Sequence, residues 1–99
     1  MKMIKHSVIF SFKEGLTIDQ KHFFFEGAKQ LSGIVGVHAF EIAKQVSSKN
    51  SYEYSIAMEF DSYESYELYV SHPLHELFIE KYWVSFVDDF LEIDLVKEN

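Results

Sequence analysis

The sequence has no cysteine, so disulfides, thiolate nucleophiles and cysteine-ligated zinc are excluded together. It has a single proline, Pro73, and four glycines. No Gly-rich phosphate loop, nucleophile elbow or dinucleotide fingerprint is present. Basic residues are few, with 9 Lys and Arg against 16 Asp and Glu, a formal net charge of -7. The lysines are scattered and form no stripe. Such a surface repels a phosphate backbone, which excludes nucleic acid as a partner and gives no grip on an anionic membrane. No segment approaches the roughly 20 apolar residues of a membrane span. The opening "MKMIKHSVIF" lacks the long apolar core and small-residue cleavage site of a leader. A soluble cytoplasmic protein is expected.

What remains is apolar side chain in quantity. Hydrophobic residues make up 47% of the 99 positions, with 10 Phe and 6 Tyr, which is ample for a core and argues against disorder. No Gly/Ser/Pro-rich linker divides the chain, so residues 1–99 read as one small domain. A domain of this size buries a modest share of its surface and gains from self-association.

Strict alternation in "MIKHSVIFSF" predicts a first strand with Ile4, His6, Val8, Phe10 and Phe12 on one face. "TIDQKHFFFEGAKQLSG" predicts a helix. Thr17 and Gln20 have capping-box spacing, Phe24, Ala28 and Leu31 form a stripe, and Gly33 is expected as a left-handed stop. "VGVHAFEIAKQVS" and "YEYSIAMEF", joined by the turn cluster "SSKNS", predict a hairpin. The alternation places His38, Phe40, Ile42 and Lys44 on one face of its first strand. Asp61 is the expected cap of a second helix, with Glu64 three residues on. Pro73 disfavours helix at His72 and suits a first helical turn, so the helix breaks and restarts there, running through "LHELFIEKY". "DFLEIDLV" closes the chain as a strand. The order βαββαβ predicts an α+β, ferredoxin-like domain with a four-stranded antiparallel sheet and both helices on one side.

Two helices cover one side of such a sheet. The other faces carry Ser7, Ser11, Ala39, Ala43, Ser55 and Ala57, with Ile9 among them. Small residues permit close approach by a second sheet, which predicts a homodimer through that face. The alternative is a face that simply meets water.

The chain resembles the stress-responsive dimeric α/β-barrel domain family, over nearly its whole length. The resemblance rests on "KHSVIFSFKEG", "GVHAFEI", "YEYSIAMEFDSYESYELYVSHPLHELF" and "FLEIDL". It implies two ferredoxin-like protomers whose sheets close into one barrel. The family includes plant stress proteins, bacterial proteins without assigned activity, and a plant polyketide cyclase, olivetolic acid cyclase, which performs aldol ring closure without a cofactor. By that resemblance Tyr69 and His75 match the cyclase's tyrosine and histidine, and His6 matches its first-strand histidine. A further histidine of the cyclase falls at Tyr54 here, so its substrate does not carry over.

From the residues themselves, His75 has a pKa suited to proton transfer and Tyr69 could orient it or polarise a carbonyl. In that reading the break turns His75 towards the sheet while His72 caps the preceding helix; the competing reading is that the histidines satisfy backbone groups freed by Pro73. Phe24, Tyr52, Tyr54, His72 and Trp83 are candidate cavity walls, though aromatic stripes also build plain cores. His72, His75 and Glu76 are too few for zinc, and Glu41, Glu53 and Glu59 sit where strand carboxylates are solvated or paired. No metal and no cofactor are expected. Three functions stay open: a stress-response-type binder of a small apolar or aromatic molecule, a cofactor-free cyclase- or lyase-like enzyme, and a structural assembly module.

Overall fold

The computed structural model describes residues 3–98; Met1 and Lys2, where the leader reading begins, lie outside them. The order is β1 (Ile4–Phe12), α1 (Ile18–Lys29), a 3-10 turn (Gln30–Gly33), β2 (His38–Lys44), β3 (Tyr54–Phe60), α2 (Tyr63–Val70) and α3 (Pro73–Phe78). A wide π turn (Ile79–Trp83) and one short turn of α-helix (Val84–Phe86) lead into β4 (Val87–Val96). The four strands form one antiparallel sheet in the order β2-β3-β1-β4. This is the ferredoxin-like arrangement that the sequence predicts.

Alternation places side chains as expected in β1. Ile4, His6, Phe10 and Phe12 are buried beneath the helices, beside Ile56, Met58 and Phe60 of β3. Phe24, Ala28 and Leu31 supply the facing stripe of α1 and its turn. The capping box closes in both directions. Gln20 N–H donates to Thr17 Oγ1 at 3.1 Å, and Thr17 N–H donates to Gln20 Oε1 at 2.8 Å. Gly27 is required by packing: a Cβ there would lie 2.6 Å from the Tyr82 ring.

Four local expectations are corrected. Gly33 is not the left-handed stop; the helix tightens into the 3-10 turn, and Gly36 takes the positive φ of 96°. Ser62, rather than Asp61, caps α2 by accepting from Ser65 N–H at 3.1 Å. The helix after Pro73 does not run on as plain α-helix but widens into the π turn at Ile79. His38 does not share the inner face with Ile42. Ala39 adopts φ 50° and the β2–β3 register slips by one between His38 and Glu41, a bulge that moves His38 opposite Glu59. Its Nε2 then lies exposed, 3.3 Å from Asp61 Oδ2.

The face away from the helices is legible row by row. Ala43, Ser55, Ile9 and Leu91 lie side by side across the sheet, then Glu41, Ala57, Ser7 and Ile93. Leu91 and Leu95 are 48% and 56% exposed there, so the most exposed large apolar groups of these rows come from β4, beside Ile9 of β1.

Candidate functional site

Pro73 generates the local geometry. In an unbroken helix the Leu74 N–H would donate to the Val70 carbonyl. The extended backbone at His72 prevents this, with φ -67° and ψ 137°. Leu74 N–H donates instead to His72 Nδ1 at 3.1 Å, so His72 caps α3, the following helix and not the preceding one. The freed Val70 carbonyl is reached by His75 Nδ1 at 2.9 Å. A carbonyl only accepts, so His75 carries its proton on Nδ1, and neutral His75 presents Nε2 as a lone-pair acceptor. Both imidazoles thus serve the backbone through Nδ1, and His75 keeps a lone pair on Nε2.

His75 lines a cavity of about 270 Å³ between the helices and the sheet. Its floor is β1 and β3, with His6, Val8, Ile56 and Met58. Leu31, Tyr66, Tyr69, Val70, Phe78, Ile79 and Trp83 form the helical side, and Phe90 and Glu92 of β4 close the rim. The Tyr69 and His75 ring centroids are 4.6 Å apart, and His6 lies 6.0 Å from Tyr69 and 5.2 Å from Tyr66.

Burial lowers the pKa of His75, partly offset by its bond to the Val70 carbonyl. The ring is therefore neutral near pH 7. Burial raises the pKa of Tyr69, with the Glu92 charge adding to it. Burial likewise raises that of Tyr66, reinforced by its hydrogen bonds and charge interactions with Glu92 and Asp94. Both phenols stay protonated, and a neutral imidazole beside a buried phenol offers one acceptor and one donor.

The register of β1 and β4 builds a second polar group at the cavity edge. His6 pairs with Asp94 and Val8 with Glu92. His6 Nδ1–H donates to Asp94 Oδ1 at 2.6 Å, and the Tyr66 hydroxyl lies 3.0 Å from Glu92 Oε1 and 3.1 Å from Asp94 Oδ2. Ligand atoms of His6, Glu92 and Asp94 lie within 4.8 Å of one another, a spacing that would suit a cation.

The cavity therefore brings together His6, Tyr69, His75 and Trp83 of the sequence-predicted set. Phe24 is wholly buried in the core, and Tyr54 packs on Phe10, Phe12 and Phe25. Tyr52 borders a separate surface depression beside the β2–β3 turn, and His72 is occupied as a cap. Sequence reasoning missed Tyr66, Glu92 and Asp94. One signal for the two carboxylates exists: Glu92 and Asp94 alternate with the apolar positions of β4 and fall opposite Val8 and His6 once β4 is paired with β1.

The stress responsive A/B barrel domain model matches residues 4–97. A Dabb family protein with a ferredoxin-like fold from Mesorhizobium loti is 38% identical over all of both chains, with a TM-score of 0.94. An Arabidopsis thaliana protein is 29% identical, covering 97% of this chain and 96% of its own, with a TM-score of 0.86. The hydroxynitrile lyase of Passiflora edulis has the same fold, with a TM-score of 0.87 at 11% identity over 98% of this chain and 94% of the lyase. No curated protein matches the sequence.

Proposed function

The chain belongs to the stress responsive A/B barrel domain family, and from that premise we propose that it is a homodimeric protein that binds a small apolar or aromatic molecule. The observation that carries the binding reading is the cavity of about 270 Å³, walled by apolar and aromatic side chains with His6, Tyr69, His75 and Glu92 converging on it. A purely structural assembly module would fill this space with its own aromatic side chains. An apolar cavity of about 150 Å³ suffices for benzene, so a single ring with a short substituent matches the space here. The dimer is supported by the small and apolar residues on the open sheet face, Ala43, Ala57, Ile9, Leu91 and Ile93 among them, and by the dimeric ferredoxin-like proteins of Bacteroides fragilis and Thermobifida fusca that share the fold.

Thermal-shift screening with neutral and charged single-ring compounds tests the binding reading. A ligand of the native state raises the midpoint by mass action, equivalent to about 2.7 kcal/mol at 100 times Kd. The shift should disappear in Val8→Phe, which fills the cavity from β1. A screen without a single hit sinks the reading.

A second reading, cofactor-independent acid–base catalysis of the cyclase or lyase kind, is favoured by the protonation of His75. Nε2 would take a proton from a carbon next to a carbonyl, while Tyr69 O–H donates a hydrogen bond to the developing enolate oxygen. The Passiflora lyase lends this a parallel in fold only. Deuterium exchange at that carbon of a bound ketone, followed by NMR, should be catalysed by the wild type and not by His75→Ala. Equal exchange in both proteins removes the catalytic role.

A further inference from the structure

Two complementary polar groups meet in the helical wall of the cavity and leave each other free. Tyr69 is 2% exposed, and its hydroxyl has no hydrogen-bond partner among the described residues. Every fully enclosed side-chain nitrogen or oxygen described has a partner, so this hydroxyl opens onto the cavity that Tyr69 lines. His75 lines the same cavity, its ring centroid 4.6 Å from that of Tyr69. Its Nδ1–H is spent on the Val70 carbonyl at 2.9 Å, which leaves a lone pair on Nε2. A phenol donor and an imidazole acceptor in ring contact could bond each other. Among the described residues these two do not, and neither bonds His6, whose Nδ1 is engaged by Asp94 at 2.6 Å. One unused donor and one unused acceptor therefore stand side by side among apolar side chains. No lysine lines the cavity among the described residues, and the sequence contains no arginine, so a ligand anion finds neither cation there.

We infer that the cavity selects a neutral primary carboxamide on a small apolar body, its carbonyl accepting from Tyr69 O–H and one amide N–H donating to His75 Nε2. This rests on the proposed small-molecule site and adds the functional group of its ligand. A carboxamide carries a donor and an acceptor on one carbon, which matches the adjacent acceptor and donor of the wall. A ketone of the same shape satisfies Tyr69 and leaves Nε2 without a donor. A carboxylate has no donor and brings a charge into an apolar site. The burial that lowers the pKa of His75 keeps its lone pair available near neutral pH. Val8, Ile56, Met58 and Trp83 line the space left for the apolar body. In this pose the amide N–H occupies the place that the acid–base reading gives to the C–H of a ketone.

Isothermal titration calorimetry with three compounds of one shape tests this: benzamide, acetophenone and benzoate, near pH 7. Benzamide should bind about threefold or more tighter than acetophenone and at least about tenfold tighter than benzoate. In His75→Leu the ratio of benzamide to acetophenone affinity should fall to about one. Taken within one variant, that ratio does not depend on the variant's stability. In the wild type, the nitrogen NMR resonance of His75 Nε2 should move towards that of a protonated nitrogen with benzamide and not with acetophenone, a readout that needs no variant. Acetophenone binding as tightly as benzamide overturns the donor match and leaves the small-molecule reading standing. Benzoate binding as tightly as benzamide overturns the selection of a neutral ligand. A benzamide preference that survives His75→Leu, or that leaves the Nε2 resonance unmoved, overturns the assignment to His75. Binding of none of the three overturns this inference, while the thermal-shift screen decides the binding reading separately.

Discussion

Replacing Tyr69 with Phe should make the protein more stable and a worse binder. Tyr69 is 2% exposed, and its ring packs against Phe60 and His75. Its hydroxyl makes no hydrogen bond among the described residues; burial and the Glu92 charge alone raise its pKa. Every fully buried side-chain polar atom described has a partner, so this hydroxyl opens onto the cavity. A buried hydroxyl without a partner costs about 1–3 kcal/mol by mutational measures. Because the cavity solvates it in part, the lower end applies. Tyr69→Phe keeps the ring and removes this cost, so stability should rise by about 1 kcal/mol, or about 4–8 °C in Tm for a domain of this size. Tyr69→Ala, which deletes the ring contacts as well, should lose about 3–5 kcal/mol, as aromatic truncations in cores do. Urea unfolding measures both, with unchanged m-values showing that the unfolded states are comparable. Affinity for any ligand found by screening should fall in Tyr69→Phe while stability rises. If Tyr69→Phe is instead destabilised by about 1 kcal/mol, the hydroxyl has a protein partner and the reasoning fails.

Three further outcomes are expected. Gly27→Ala gains about 1 kcal/mol in helix propensity but drives a methyl to 2.6 Å from the Tyr82 ring, an overpacking cost of about 1–3 kcal/mol, so thermal unfolding should show a net loss. The lowered pKa of His75 means that the unfolded chain binds its proton more readily. Its contribution to stability is therefore complete above the unfolded value of about 6.5 and declines as the pH falls below it, so His75→Gln should flatten that part of the stability–pH curve. Ile93→Asp on the open sheet face should give a monomer by light scattering where the wild type is a dimer, and a wild-type monomer at micromolar concentration refutes the dimer.

The fold was legible because period-two alternation with one buried face leaves little freedom in register. His6 was assigned to the inner face from four apolar neighbours in β1, and it is there. The Thr17–Gln20 box was legible because a capping box is complete within four residues. What failed depended on geometry that alternation does not encode. His38 changed faces because one residue, Ala39, took a left-handed conformation and absorbed a position. The cap moved from Asp61 to Ser62 because either side chain can accept at a helix start, and Asp61 lies by His38 instead. Of the candidate site, Tyr69 and His75 were visible from their spacing around Pro73. Tyr66, Glu92 and Asp94 were not, since they come from two elements more than 20 residues apart, and carboxylates near a chain end look like ordinary solvated surface.

The break at Pro73 ties main-chain geometry to acid–base chemistry. Were residue 73 an alanine, Leu74 could return its amide to Val70 and the helix could run straight through. His75 would then lose its carbonyl anchor, and its proton would be free to sit on either ring nitrogen. One imino acid therefore governs which nitrogen of His75 keeps its lone pair, although Pro73 itself does not line the cavity. Selection or engineering that straightens this segment for extra rigidity would scramble the tautomer while leaving every chemically reactive side chain in the sequence.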